Sequence, residues 1–343
     1  MKTKLIIAVT LSLFACRPWS GAMAQGSPSA DKAAGDIASA ARVPLASLDA
    51  DRRGRLVFDF KDDAQRRRWS NLPTGIVKRA GLRMGDLTQP QRDAVMALLA
   101  AALSREGYEK VVGIVAGDEV LRQADGGGRL AFGRDEYYVS LLGQPSSTEP
   151  WMIQFGGHHL GLNITLAGDQ GTLAPSHTGS QPSSFELEGK LVRPLGREVD
   201  QAFALVHSLD EGQRKQAILG FEMRDLVLGP GRDGQTIQPE GIKGAALTGK
   251  QREMLLDLAG EWTGILHETA AKAKMEELKA HVAETWFAWS GPTAKGAAAY
   301  FRIQGPTVFI EYAPQRMGND PTKHIHTIYR DPTNEYGSKW GKR

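Results

Sequence analysis

The chain is almost without cysteine. One residue of 343, Cys16, is a cysteine, and it sits in the amino-terminal segment rather than in the body of the protein. Disulfides, thiolate metal sites and a cysteine nucleophile are therefore excluded from the folded part. Charge of one sign is also scarce: 42 Lys and Arg stand against 39 Asp and Glu, a net charge of +3. With no long basic run, an electrostatic grip on nucleic acid is excluded, and Arg66-Arg67-Arg68 reads as a solvated face. No apolar run after the amino terminus reaches membrane-spanning length. Several sequence signatures are missing too. There is no Gly-X-Ser-X-Gly elbow, no His-Glu-X-X-His helix and no dinucleotide glycine fingerprint after a strand. Gly244 to Lys250 has phosphate-loop spacing, but Gln251 stands where Ser or Thr is required and no strand precedes it.

What is present is ordinary globular material, 41% hydrophobic and 24% charged, enough for one large domain or two modest ones. Lys2 and Lys4 precede an apolar run from Leu5 to Ala15, then Pro18 and Ala22-Met23-Ala24. That order predicts a signal peptide over residues 1–24, cleaved after Ala24, and a periplasmic or secreted protein. Leu13-Phe14-Ala15-Cys16 loosely resembles a lipoprotein box with a bulky Phe14, so lipidation of Cys16 is the alternative. Residues 25–50, rich in Ala, Ser and Asp, read as a flexible leader with at most one weak helix.

The body, residues 51–343, reads as a single α+β domain. Leu87-Thr88-Gln89-Pro90-Gln91-Arg92, Leu209-Asp210-Glu211-Gly212-Gln213-Arg214 and Leu247-Thr248-Gly249-Lys250-Gln251-Arg252 share one pattern. Thr88, Asp210 and Thr248 suit helix caps, and apolar residues follow at helical spacing, the third helix running to about Val282. Short aromatic and aliphatic runs over 136–142, 151–155 and 160–166, and again over 285–290, 298–304 and 307–312, read as antiparallel strands. The spacing suggests an internal duplication, about 87–182 and 247–337: pseudo-repeated units of helices followed by a β-meander, giving a sheet core covered by helices. The two meanders either merge into one sheet or face each other across a pseudo-twofold axis.

Five of the eight histidines fall in three short motifs: Gly156-Gly157-His158-His159, Ser176-His177-Thr178-Gly179 and Lys323-His324-Ile325-His326-Thr327. Residues two apart on a strand share a face, so His324 and His326 can present imidazoles to one ion. His159 and His177 are the further candidate ligands, and His158 a group facing substrate or supporting a ligand. Imidazoles without thiolates resemble a catalytic metal set and leave Zn, Cu and Fe undistinguished. Beyond His326, Arg330 offers a planar fork to an anionic part of a small-molecule substrate or ligand. Asp331 can orient a ligating imidazole, and Glu335 can serve as general base. His207, His267 and His281 read as solvated helix positions, and Gln154, Glu186 and Glu311 as structural polar groups on strands.

Trp69, the Gln-Arg helix, Tyr137-Tyr138 through Gly143-Gln144-Pro145-Ser146, Trp151, Gly157-His158-His159-Leu160, His177-Thr178-Gly179 and His324 through Gly337 together resemble the domain-of-unknown-function family 3500. The likeness spans about residues 51–340, with Glu335 standing where an Asp is expected. It implies no activity and supports only the choice of site residues. The expectation is an exported metal-dependent enzyme, most simply a hydrolase in which metal-activated water attacks an ester, amide or phosphoester, with oxidoreductase chemistry on copper or iron left open because imidazole ligation does not choose between them. Two alternatives stand beside it. One is a metal-free acid–base pair of His177 and His326; the other is a non-catalytic periplasmic protein that binds a metal or a small anion.

Overall fold

A computed structural model describes residues 30–125, 130–316 and 320–341. The expected signal segment and Cys16 lie outside them. Among the described residues the helices are α1 (Ala30–Ala46), α2 (Ala50–Leu56), α3 (Asp63–Arg66), α4 (Gln89–Ala102), α5 (Arg105–Asp125), α6 (Gly196–Ser208), α7 (Glu211–Ala217), α8 (Gly249–Thr263) and α9 (Glu268–Ala280). The first strands are β1 (Val57–Phe58), β2 (Leu82–Arg83), β3 (Tyr138–Leu142), β4 (Trp151–Gly157), β5 (Leu160–Ala167), β6 (Gln170–Thr172) and β7 (Ser176–Ser180). A separate hairpin pairs β8 (Phe185–Leu187) with β9 (Lys190–Val192). The chain then adds β10 (Ile242–Lys243), β11 (Trp286–Ser290), β12 (Tyr300–Gly305), β13 (Val308–Pro314) and β14 (Ile325–Arg330).

Each polar residue of the recurrent Leu-Thr/Asp-X-X-Gln-Arg motif has a bond to make at a helix start. The Thr248 hydroxyl oxygen accepts from the Gln251 amide at 3.2 Å, and Gln251 Oε1 accepts from the Thr248 amide at 2.9 Å. Asp210 and Gln213 exchange the same pair of bonds at 2.8 and 3.1 Å. This reciprocal capping satisfies donors that a helix start leaves free. Arg92 and Arg252 bend back to the carbonyls of Leu87 and Leu247. The remaining glutamine N–H reaches a neighbouring helix end, Gln91 to the Ser47 carbonyl and Gln251 to that of Ser208. The motif thus both starts a helix and docks it.

The meanders merge into one mixed twelve-stranded sheet of order β1-β3-β4-β5-β7-β14-β13-β12-β11-β10, with β2 on β3 and β6 on β5. The β1–β3 pair is parallel and the others are antiparallel. At its centre β7 pairs β14 in the register His177↔Ile328, Thr178↔Thr327 and Gly179↔His326. Because side chains alternate along strands, this register sorts residues onto two faces. One face carries Val139, Ile153, Leu162, Trp289, Phe301, Ile310 and Tyr329, which join the main apolar core beneath the helices. Trp262 of α8 donates its indole N–H to Thr327 Oγ1 at 2.9 Å, and Thr327 shares a 2.7 Å hydroxyl bond with Thr178.

The opposite face is polar and lies under two irregular segments, residues 58–81 and 219–241. Their backbones have few ladder partners, so sheet side chains bond them instead. Glu311 accepts from the amides of Val227 and Leu228 at 2.9 and 2.8 Å, and Gln154 donates to the Arg66 carbonyl at 2.7 Å. Both residues are structural. Glu186, also expected to be structural, lies exposed on the separate β8–β9 hairpin.

The structure corrects two boundaries. Residues 25–50 are not a flexible leader throughout, since α1 buries Ile37, Ala38 and Ala41 and packs on α4. The third helix does not run to Val282. It stops at Gly264, because residues 264–267 cross the 102–104 segment: Leu103 bridges Leu266, the Ser104 amide donates to the Ile265 carbonyl, and the His267 amide donates to that of Ala102.

The Thr178–Thr327–Trp262 chain is buried at the join of the two sheet halves, so removing the shared hydroxyl strands the indole N–H. Thr327→Val is expected to lower unfolding free energy by about 1–3 kcal/mol, read as a lower urea midpoint with an unchanged slope. A midpoint equal to that of the parent would show that the join does not depend on these bonds.

Candidate metal centre

His158 and His159 form the turn between β4 and β5. His159 adopts φ +63°, the left-handed region that β-carbon-bearing residues occupy at a cost of about 1–2 kcal/mol. Its neighbours hold it there. The His159 amide donates to the Asn71 carbonyl at 3.1 Å, and its own carbonyl accepts from the Gly179 amide at 2.7 Å. Gly179 has to be glycine for the approach: a β-carbon there would lie 2.8 Å from the Ile325 carbonyl oxygen and 3.1 Å from the rings of His159 and His177. The outcome is an imidazole turned towards the start of β14.

His324 and His326 alternate onto one face there, as the two-residue spacing predicts. His324 Nε2 lies 2.8 Å from His159 Nε2 and 3.1 Å from His326 Nε2. A neutral imidazole nitrogen either carries one proton or offers one in-plane lone pair. His324 Nε2 can therefore satisfy one of these two contacts, and the other is left without a proper donor–acceptor match. A cation accepting all three lone pairs removes the conflict. Nitrogens about 2.0–2.1 Å from a tetrahedral zinc are about 3.3 Å apart, close to the separations here. His159, His324 and His326 thus form a group that could hold a metal ion.

Burial depresses the pKa of all four imidazoles in this region, with smaller contributions from their mutual repulsion. His177 is lowered to about 3 and His324 to about 4, while His159 and His326 are also pushed down. At neutral pH they are uncharged, the state a metal requires. His177 stands beside the three-histidine group rather than in it. Its ring centroid is 5.1 Å from that of His326, its Nδ1 lies 3.3 Å from the His159 carbonyl, and its buried Nε2 has no protein partner.

His158 stays beside His159, its ring centroid 3.6 Å away, because the left-handed backbone at His159 breaks the extended alternation. Its Nδ1 lies 2.6 Å from Asp118 Oδ1, and Asp118 Oδ2 accepts from the Gly133 amide at 2.9 Å. Asp118, His158 and His159 make a second group that could hold a metal ion. Asp118 escaped the sequence reading. The available signal was an acid at the core-facing position of α5, in register with Val111 and Ile114. Asn71 presents its amide nitrogen 3.5 Å from both ring nitrogens of His326. Beyond Asn71 the segment exposes Leu72 and Ile76, bridges to Ala131 through Thr74, and carries Arg79, whose guanidinium donates to the Gly157 carbonyl at 2.9 Å.

The remaining expected residues are not brought to the histidines. Arg330 is four residues along β14 from His326, about 13 Å at 3.3 Å per residue. Its guanidinium is spent on the carbonyls of Leu228 and Gly229 and on Asp233 and Glu335. Asp331 orients no imidazole, since it accepts from Lys274 and Thr333. Glu335 is held by Arg330 and by the Gly234 amide at 3.1 Å, which removes it as a base for this centre. His267 is buried at the start of α9 and His281 half-buried after its end, rather than solvated, whereas His207 keeps an exposed position and meets the Thr293 carbonyl.

A depressed histidine pKa stabilises the fold above the unfolded value near 6.5, and that stability is lost as pH falls towards the folded value. Each such histidine therefore contributes a slope of about 1.4 kcal/mol per pH unit in that window. Unfolding free energies of metal-free protein at pH 7.5, 6 and 5 are expected to fall steeply, and His177→Gln is expected to flatten the fall by about one histidine's share. Parallel curves for parent and variant would contradict the burial argument.

No curated protein and no solved structure matches the chain. A family model described as a protein of unknown function, DUF3500, matches residues 30–338, and with nearly the whole sequence covered the chain belongs to that family.

Proposed function

We propose that the chain is an exported metal-dependent enzyme, its ion held by the Nε2 atoms of His159, His324 and His326. The observation that carries this reading is the convergence of three neutral imidazoles, His159 and His324 buried and His326 half-buried, whose mutual contacts cannot all be hydrogen bonds. Three protein nitrogens around a transition-metal ion leave a coordination position open, the arrangement of catalytic sites, and the ion supplies Lewis acidity there. Asp118 fixes a proton on His158 Nδ1, leaving Nε2 as an acceptor for a proton from an attacking nucleophile. Among the described residues no group hydrogen-bonds that Nε2. Hydrolysis of an ester, amide or phosphoester is the simplest reaction these parts support. Arg330, spent on the fold, does not supply the contact to an anionic substrate that a free fork would have given. The second reading, non-catalytic metal capture, draws on the deep burial of His159 and His324, at 1% and 4% exposure.

Elemental analysis tests the centre. About one equivalent of Zn, Cu or Fe is expected in the parent and none in a folded His324→Ala/His326→Ala variant; no metal in the parent after all three are supplied would overturn the proposal. Activated esters, anilides and phosphoesters then separate the readings. Asp118→Asn is expected to keep the metal and lose tenfold to a thousandfold in rate, whereas a metal-loaded parent that turns over none of them supports capture instead.

A further inference from the structure

On the polar face of the sheet a second concave site lies apart from the histidines. A cavity of about 460 Å³ opens between α3, residues 228–237, the β12–β13 turn and the carboxyl-terminal turn, within the usual size of a small-molecule pocket. Leu228, Phe309 and Ile328 pack into one apolar cluster between it and the metal centre. Arg330 builds its floor, tying β14 to the Leu228 and Gly229 carbonyls, to Asp233 and to Glu335. Tyr336 completes the frame: its hydroxyl donates to Asp233 at 2.9 Å and accepts from the Trp69 indole at 2.8 Å. These groups are fixed by one another, so the cavity is preorganised.

Its charge is divided by position. On the Arg330 side two carboxylates, Asp233 and Glu335, face one guanidinium, an excess of one negative charge. On the α3 side Asp63 pairs with Arg67 at 3.1 Å, and among the described residues Arg66 has no carboxylate partner, an excess of one positive charge. Arg66 bonds the Phe60 carbonyl through one terminal nitrogen, and among the described residues its other terminal nitrogen has no hydrogen-bond partner. Across the cavity Gln304 donates to the Ile237 carbonyl at 2.7 Å. A cationic donor and a pair of carboxylates thus line the same cavity, with Leu228, Ile237, Phe309 and Tyr336 supplying apolar wall.

From this pattern we infer that the cavity binds a small zwitterion, an α-amino acid with an apolar side chain or a short peptide of such residues. The carboxylate meets Arg66, the ammonium meets the Asp233 and Glu335 side, and the side chain lies against Phe309 and Ile237. The site is independent of the metal reading.

Calorimetric titration of the full chain with leucine, phenylalanine and leucyl-leucine tests this, beside N-acetyl-leucine and leucinamide, which each lack one charge. Binding is expected for at least one zwitterion, weakened tenfold or more in both capped forms and equally strong in His324→Ala/His326→Ala. Arg66→Met is expected to remove the preference for a carboxylate and Arg66→Lys to restore part of it, with Ile237→Ala weakening binding by a different route if Arg66→Met does not fold. No zwitterion binding at millimolar concentration, or equal affinity for leucine and leucinamide, would overturn the inference.

Discussion

Everything else in this molecule depends on the pairing of β7 with β14. Those two strands turn two groups of antiparallel strands into one sheet, and β7 does so with little apolar surface of its own. Ser-His-Thr-Gly-Ser is a poor strand by composition; what holds it is a ladder on both sides and a hydroxyl chain to Trp262 on the core face. The same register places His177 and His326 on the opposite face. It brings the turn carrying His159 within hydrogen-bond distance of the residue preceding β14. The core and the candidate centre are thus two consequences of one register, and a slip of one residue would exchange their faces.

The polar face explains why so many charged residues are buried without being near the metal site. Irregular segments over a sheet bring backbone groups with no ladder to join, and an apolar sheet face could not receive them. Glu311 is held at a raised pKa by burial, yet it keeps two amides and the Tyr300 hydroxyl in place. Arg330 does the complementary work for carbonyls. In such a face ionisable residues are mainly structural, and function has to be sought where a polar atom is left over.

Much of this was legible in the sequence. Six strands follow the aromatic and aliphatic runs closely, and the capping residues announced α4, α7 and α8. The His-X-His alternation by itself places two imidazoles on one face of a strand. The rest was hidden for identifiable reasons. Gly264-Ile265-Leu266 continues helical apolar spacing, and only the crossing of the 102–104 segment, more than a hundred and fifty residues earlier, breaks the helix there. Arg330 looked like a ligand fork because its partners, Leu228 to Asp233, lie about a hundred residues upstream in a stretch without periodicity. Asp118 is one of five acids on α5, next to Glu119, and its meaning depends on His158, forty residues away.

The spacing of the three imidazoles along the chain bears on mechanical integrity as well as chemistry. His159 and His324 are 165 residues apart in a body that contains no cysteine. On the proposed reading an ion joining them is a reversible cross-link spanning the central strands of the sheet. A covalent tie closing a loop of that length would restrict the unfolded chain by about 5 kcal/mol on the chain-entropy account. The protein would then have a staple whose strength follows the metal supply of its compartment instead of the redox state, so that starvation for metal would loosen the fold as well as silence the site.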